Sequence, residues 1–215
     1  MIRYILYIIV VGILILTYKS GIISFPIQEI TIITSDKKYN SDKLNKYLDA
    51  LYGKDLLLIN IDSIKKDIIS DDWISDAEVI KSFPSKITIR IIQHEPMALY
   101  NNQIISKAGI LINSSTITSK DLPIIIDKDK ELISAYDIYS LSLFNLKKID
   151  LVIKKIEIHH SLVKIYTTST VLISDRTNFE KNILRLVSLF EDLNNTYGKN
   201  ITSIDMRYSN GFAIK

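Results

Sequence analysis

Three features of the sequence predict an α+β chain in three parts. An uncharged apolar run opens it, helix-period and strand-period segments follow, and an Asn-Gly pair between short apolar stretches closes it. Together they predict a single N-terminal transmembrane helix within residues 1–24, a βααββ domain over 25–95, and a mixed β-domain over 96–215 with a long helix and a C-terminal hairpin edge.

The run from Tyr4 to Thr17, YILYIIVVGILILT, carries no charge and follows Arg3. It is shorter than the roughly 20 residues that span a bilayer, and in length it also fits a signal-peptide core. No small-x-small cleavage site follows, Tyr18 and Lys19 can snorkel, and Gly21 to Phe25 extends the apolar stretch. These observations favour a retained span from Ile2 to Ile23, with Tyr4 and Leu16 inside it, over a cleaved signal. Arg3 then puts the amino terminus in the cytoplasm and the remainder outside it.

Gln28 to Thr34, QEITIIT, alternates as a strand. Ser41 can cap a helix whose apolar positions Leu44, Tyr47, Leu48 and Leu51 recur at helical spacing, with Gly53 ending it. Asp62 can cap a second helix carrying Ile64, Ile68 and Ile69. WISDAEVI and KITIRII form two strands joined through Phe83-Pro84-Ser85. On the latter, Ile87, Ile89 and Ile91 point inward, leaving Lys86, Thr88 and Arg90 outward. Trp73 is expected in the core, where large aromatics mostly reside.

After Pro96, MALY and QIIS flank Asn101-Asn102 as a hairpin. PIII, the stretch from Ile149 to Ile158, LVKIYT and TVLIS add strands, and Ser134 to Leu146 reads as a short helix. A longer helix runs from Asn178 to about Leu193, with Ile183, Leu186, Val187 and Phe190 on one face. The chain closes on IDMRYSNGFAIK, in which Asn210-Gly211 signals a type I′ turn with positive φ at both residues. The last strand then becomes a sheet edge whose unpaired N–H and C=O groups are blunted, here by Lys215, or accept a partner's strand. Alternation places Arg207 and Tyr208 on opposite faces of the preceding strand.

Composition narrows the chemistry. Cysteine is absent, which excludes disulfides, Cys-ligated zinc and iron–sulfur clusters. Without Arg3 and Lys19 the chain carries 25 basic and 24 acidic residues, so no basic stripe points to nucleic acid. Isoleucine fills 43 of 215 positions and makes nearly every segment look β-prone. His159 and His160, adjacent on an expected strand, point to opposite faces and cannot chelate one metal, and His94 and Glu95 fail alike. The S-x-x-K matches at Ser35/Lys38, Ser63/Lys66 and Ser161/Lys164 are about as many as random placement of 22 Ser and 22 Lys produces, and no K-T-G accompanies them. Asp71-Asp72 reads as a solvated helix end, since no further ligands follow at EF-hand spacing. No catalytic, metal or cofactor site is expected.

Several pieces, in order, resemble the FtsQ/DivIB family of bacterial division proteins. Trp73-Ile74, Ala77 with Val79, Lys81 before FPSKITIRI, and Glu95-Pro96-Met97-Ala98-Leu99 are similar to its polypeptide-transport-associated (POTRA) domain. The similarity continues through Gly109, Leu122-Pro123, Arg176, Phe179 and Arg185-Leu186 to DMRYSNGFAI, Asp205 to Ile214. The short start and this ending are closer to the FtsQ form.

The resemblance implies a bitopic inner-membrane scaffold of the divisome, located at the septum, whose β-domain continues the POTRA sheet. It implies recruitment after FtsK through the POTRA surface, which the outward set Lys86, Thr88 and Arg90, with Glu95, would supply. It also implies binding of FtsB, which forms a coiled-coil complex with FtsL, by strand addition at an edge comprising Arg176, Tyr208, Ser209, Asn210, Gly211, Phe212, Ala213 and Ile214. Arg176 is either a plain surface charge or a partner for an incoming carboxylate. The family pattern usually runs on to an aromatic beyond Ile214 and has glycines where Ser174 and Asp175 stand, which would weaken the partner's anchorage. A POTRA-bearing export or assembly factor is the alternative, but it should carry repeated POTRA units or a barrel. An anchored periplasmic hydrolase would need a nucleophile and base that the sequence does not display.

Overall fold

A computed structural model describes residues 2–19, 21, 24–34, 42–113, 122–198 and 201–215. Its contacts divide the chain into two units, Met1–His94 and Glu95–Lys215, each with its own hydrophobic core.

The first unit begins with helix α1, Ile2–Lys19, whose described apolar side chains from Tyr4 to Leu16 stand exposed. Among the described residues no helix is long and apolar enough to cross a membrane. At about 1.5 Å per residue, α1 measures roughly 27 Å, just under a hydrocarbon core of about 30 Å. The Ile23 end of the expected span and the Ser41 cap lie outside the described residues.

Strand β1 (Glu29–Thr34), helices α2 (Asp42–Asp49) and α3 (Ile61–Ile69), and strands β2 (Ile74–Ser82) and β3 (Lys86–Gln93) follow in the βααββ order that the patterning predicts. β3 is central, parallel to β1 and antiparallel to β2. Ile87, Ile89 and Ile91 are buried with Leu44, Leu48 and Ile64 from the helices, and Trp73 is buried too. Two helix limits differ from expectation. Asn60, rather than Asp62, caps α3, its side-chain oxygen accepting from the N–H groups of Asp62 and Ser63 at 2.9 and 3.2 Å. The helix begins at Ile61, so Asp62 falls in the first turn, where its charge suits the dipole. α2 ends at Asp49, and Gly53, at φ 78°, instead forms a turn whose N–H bonds Ile27 O at 3.0 Å.

The second unit is one mixed sheet of β4 (Pro96–Tyr100), β5 (Gln103–Ser106), β6 (Leu111–Ile112), β7 (Ile124–Asp127), β8 (Ile153–His159), β9 (Leu162–Thr167), β10 (Val171–Asp175), β11 (Ser203–Asp205) and β12 (Ala213–Ile214). Their spatial order is β12-β11-β10-β9-β8-β7-β4-β5-β6. Helix α4 (Leu132–Leu146) links the parallel pair β7/β8, and α5 (Phe179–Tyr197) links the parallel pair β10/β11. Both pack their buried faces, including Ile138, Leu146, Ile183 and Leu186, on the inward residues of the sheet. A dozen or more residues are needed to join adjacent parallel strands, and these helices supply the crossovers.

Three expectations are corrected here. The hydrogen-bonded sheet of this unit is separate from the three-stranded one and does not continue it. The stretch from Ile149 to Ile158 is not all strand, because a 3₁₀ turn ends at Ile149 and Asp150 adopts φ 56°, so pairing starts at Ile153. His159 and His160 do not point to opposite faces. β8 stops at His159, His160 turns at φ 52°, and the two rings lie 4.3 Å apart.

Candidate functional site

β12 is an end strand of the nine-stranded sheet. Ser203 and Lys215 exchange both backbone bonds, with Lys215 N–H donating to Ser203 O at 3.0 Å and Ser203 N–H donating to Lys215 O at 3.1 Å. Antiparallel pairs alternate, so Ala213, opposite Asp205, also turns its backbone groups toward β11. Ile214, opposite Ile204, turns its N–H and C=O to the open side while its side chain packs on the core. Side-chain anchoring and a free backbone thus coincide at one residue. The Thr202 hydroxyl donates to Lys215 O at 2.8 Å and fastens the end of the strand.

The turn leading into this strand is not the expected type I′. Neither Asn210 nor Gly211 has positive φ, and seven residues, Met206 to Phe212, separate the paired strands. The cause lies on α5. Arg185 donates to the carbonyl oxygens of Met206 at 2.9 Å, Tyr208 at 2.7 Å and Ser209 at 2.6 Å, and its guanidinium lies 4.7 Å from the Phe212 ring centre. Three fixed carbonyls and a cation–π contact hold the loop wide, overriding the local Asn-Gly preference. Arg207 and Tyr208 consequently lie in the loop and not on opposite faces of a strand. Tyr208 is 57% exposed. Arg207 folds back on Asp205, with Nε at 2.9 and 3.1 Å and Nη2 at 2.6 Å from the carboxylate. The Arg207 guanidinium therefore lowers the Asp205 pKa from the ordinary carboxylate value, burial opposing it.

Arg176 follows β10, two strands in from the edge. Its guanidinium donates to Ser134 Oγ at 3.0 Å, Asp129 at 3.3 Å and Glu131 at 2.5 Å. An incoming carboxylate would have to compete with these ligands. Asp129 also accepts from the backbone N–H of His160 at 2.7 Å, and the buried Asp127 accepts from the Tyr100 hydroxyl at 3.0 Å and from Glu131 N–H at 2.7 Å. Burial, followed by the Asp127 carboxylate, pushes the Tyr100 pKa far above its usual value. Ser174 and Asp175 accept from the buried Asn182 amide at 3.0 Å each, and Asp175 takes the N–H of Asn178 at 2.7 Å, so they seat the start of α5. The sequence offered no sign of the Arg176 network, whose partners lie 42 to 47 residues away.

Lys86, Thr88 and Arg90 lie on the outer face of β3, and the two cations are paired across strands, Lys86 with Glu29 at 2.7 Å and Arg90 with Glu78 at 2.8 Å. The Lys86 bond lowers the Glu29 pKa most, with a smaller contribution from Thr31. Glu95 belongs to the second unit, where it pairs with Lys107. Tyr4 and Leu16 are exposed on α1. Among the described residues no group of three His, Asp or Glu side chains is placed to hold a metal ion.

Residues 25–94 match the family model of the POTRA domain, FtsQ-type. The chain is 24% identical over 172 residues to the cell division protein FtsQ of Actinobacillus pleuropneumoniae, covering 78% of this chain and 73% of that protein. It is also 24% identical over 172 residues to the FtsQ of Haemophilus influenzae, with 78% and 66% covered. Over 208 residues it is 24% identical to the FtsQ of Rickettsia bellii, with 87% and 71% covered.

Proposed function

We propose that this chain, which belongs to the FtsQ family of cell division proteins, is a non-enzymatic, single-pass scaffold of the bacterial divisome that accepts a partner strand at β12. Residues 1–24 anchor it in the inner membrane with the amino terminus in the cytoplasm. Residues 25–94 are the POTRA domain, and 95–215, with Glu95 moved to this side of the boundary, are the partner-binding β-domain. α1 is apolar on every side and exposes that surface, which suits lipid better than water.

The observation that carries the reading is the outward backbone of Ile214 on an end strand. A segment of FtsB, presented by its complex with FtsL, pairs there through main-chain bonds, and Tyr208 offers an exposed aromatic beside it. Lys86, Thr88 and Arg90 form the outward POTRA face for FtsK-dependent recruitment. Since Arg90 and Lys86 are already paired, that face reads a partner by shape and hydrogen bonding more than by net charge.

Amide hydrogen exchange with and without saturating FtsB/FtsL tests the edge. The Ile214 N–H should gain protection while that of Ala213, already turned to β11, changes little. Unchanged exchange at Ile214 under saturation would place the partner elsewhere.

A further inference from the structure

Beyond the strand-accepting edge, the pole of the first unit that lies nearest the end of α1 has an apolar surface of its own. Phe25 and Phe83 pack edge to face with centres 5.8 Å apart, and Phe83 is 57% exposed. Leu57 and Leu58, 46% and 75% exposed, stand on the adjoining loop. The cluster is stitched from three chain segments. Leu56 N–H donates to Phe25 O at 2.7 Å, Ile27 N–H to Lys54 O at 2.9 Å, and Gln28 N–H to Ser85 O at 2.9 Å. Lys81 Nζ adds a bond to Ile59 O at 2.6 Å, and Asp55 takes the N–H of Leu57 at 2.9 Å. These bonds hold Leu57, Leu58 and Phe83 outward on a fixed frame, although loop residues that face only water are usually polar.

Covalent geometry states where that frame can go. Six Cα steps from Lys19 to Phe25 reach at most about 22 Å. The loop is tied to the near end of that span, because Phe25 N–H donates to the Asp55 carboxylate at 3.4 Å. Lys54 is exposed on the same loop, and a cation there complements anionic headgroups.

We propose that Leu57, Leu58 and Phe83, braced by Phe25, form a membrane-seating pole that dips into the lipid interface and fixes the POTRA domain against the bilayer. The inference rests on α1 being the membrane anchor. Leu58 and Phe83 contribute the apolar insertion, as interfacial aliphatic and aromatic side chains do, and the tether from α1 keeps them at the surface.

The chain has no cysteine, so single-cysteine variants of the full chain can carry an environment-sensitive fluorophore in vesicles of phosphatidylethanolamine and phosphatidylglycerol. Leu58→Cys and Phe83→Cys report the pole. Ser75→Cys, about 26 Å away along β2, is the aqueous reference, and Ile9→Cys reports α1. Quenching by lipid-borne nitroxide should be at least twofold stronger at positions 58 and 83 than at 75, with iodide quenching correspondingly weaker. If position 9 is lipid-quenched while 58 and 83 behave like 75, the pole is not seated and the anchor stands. Without lipid quenching at position 9 the anchor fails, and the seating pole with it. Shielding of 58 and 83 from both quenchers would assign the patch to a protein and overturn the lipid assignment.

Discussion

The hairpin at β4/β5 and the one at β11/β12 carry similar turn signals and are closed by different forces. In the first, Asn101 and Asn102 adopt φ 44° and 74° and join the strands in two residues, as their tolerance of the left-handed region allows. In the second, Asn210-Gly211 has the stronger local preference but neither residue uses it, because Arg185 fixes three carbonyls of a seven-residue loop. A local turn signal decides the geometry only where no distant side chain claims the same backbone. The wide loop matters because it leads directly into the strand with the free edge.

Arg185 carries the largest expected effect. Arg185→Ala removes three charge-assisted bonds and the contact to Phe212, and it should destabilise the second unit by about 2 to 4 kcal/mol in urea unfolding, with the residue 203–215 amides exchanging fastest. Arg185→Lys should recover only a minor part, since an ammonium lacks the planar fork. An unchanged urea midpoint for Arg185→Ala would mean that the loop holds its shape unaided.

A β-branched residue at the tight turn is the next largest change. Asn102→Val forces positive φ on a stiff side chain and should cost about 1 to 3 kcal/mol, whereas Asn210→Val should cost less than about 0.5 kcal/mol. Equal losses at the two sites would restore the type I′ turn at Asn210.

The ion pair beside the wide loop gives a smaller, pH-dependent effect. Asp205 has a lowered pKa in the folded chain because of Arg207, so its stabilisation is complete above the unfolded carboxylate pKa near 4 and is lost as pH falls through the folded value. With Arg207 half exposed, about 0.5 kcal/mol is at stake. Arg207→Gln should raise the Asp205 pKa in carboxylate NMR titration and remove that share of the acid sensitivity. Gly211→Ala should do least. A Cβ there meets nothing within 4 Å and φ is not positive, so stability should stay level or rise by up to about 1 kcal/mol.

Local patterning sufficed for the βααββ order and for the inward set Ile87, Ile89 and Ile91, because alternation and helical spacing are set by neighbours in the chain. It also placed the long helix with Ile183 and Leu186 inward, though α5 runs to Tyr197. What escaped was non-local. Arg176 is bound by Asp129, Glu131 and Ser134, more than forty residues away, and Arg185 by carbonyls more than twenty away. No periodicity encodes such pairs, and a guanidinium looks the same in sequence whether it faces water, a partner or its own backbone. The edge was legible as an edge, but which of Ala213 and Ile214 faces outward depends on the Ser203–Lys215 register, which only the folded sheet reveals.

That register supplies the most direct test of strand acceptance at β12. Proline at 214 removes an N–H that no described strand uses, while proline at 213 removes one turned to β11. Affinity for FtsB/FtsL should be measured for Ile214→Pro and Ala213→Pro alongside their urea midpoints. Ile214→Pro should lose binding by at least tenfold with a stability loss no larger than that of Ile214→Ala, which gives up the same core contact but keeps the N–H and the affinity, and Ala213→Pro should lower stability more. Full affinity in a folded Ile214→Pro variant would contradict pairing at this edge.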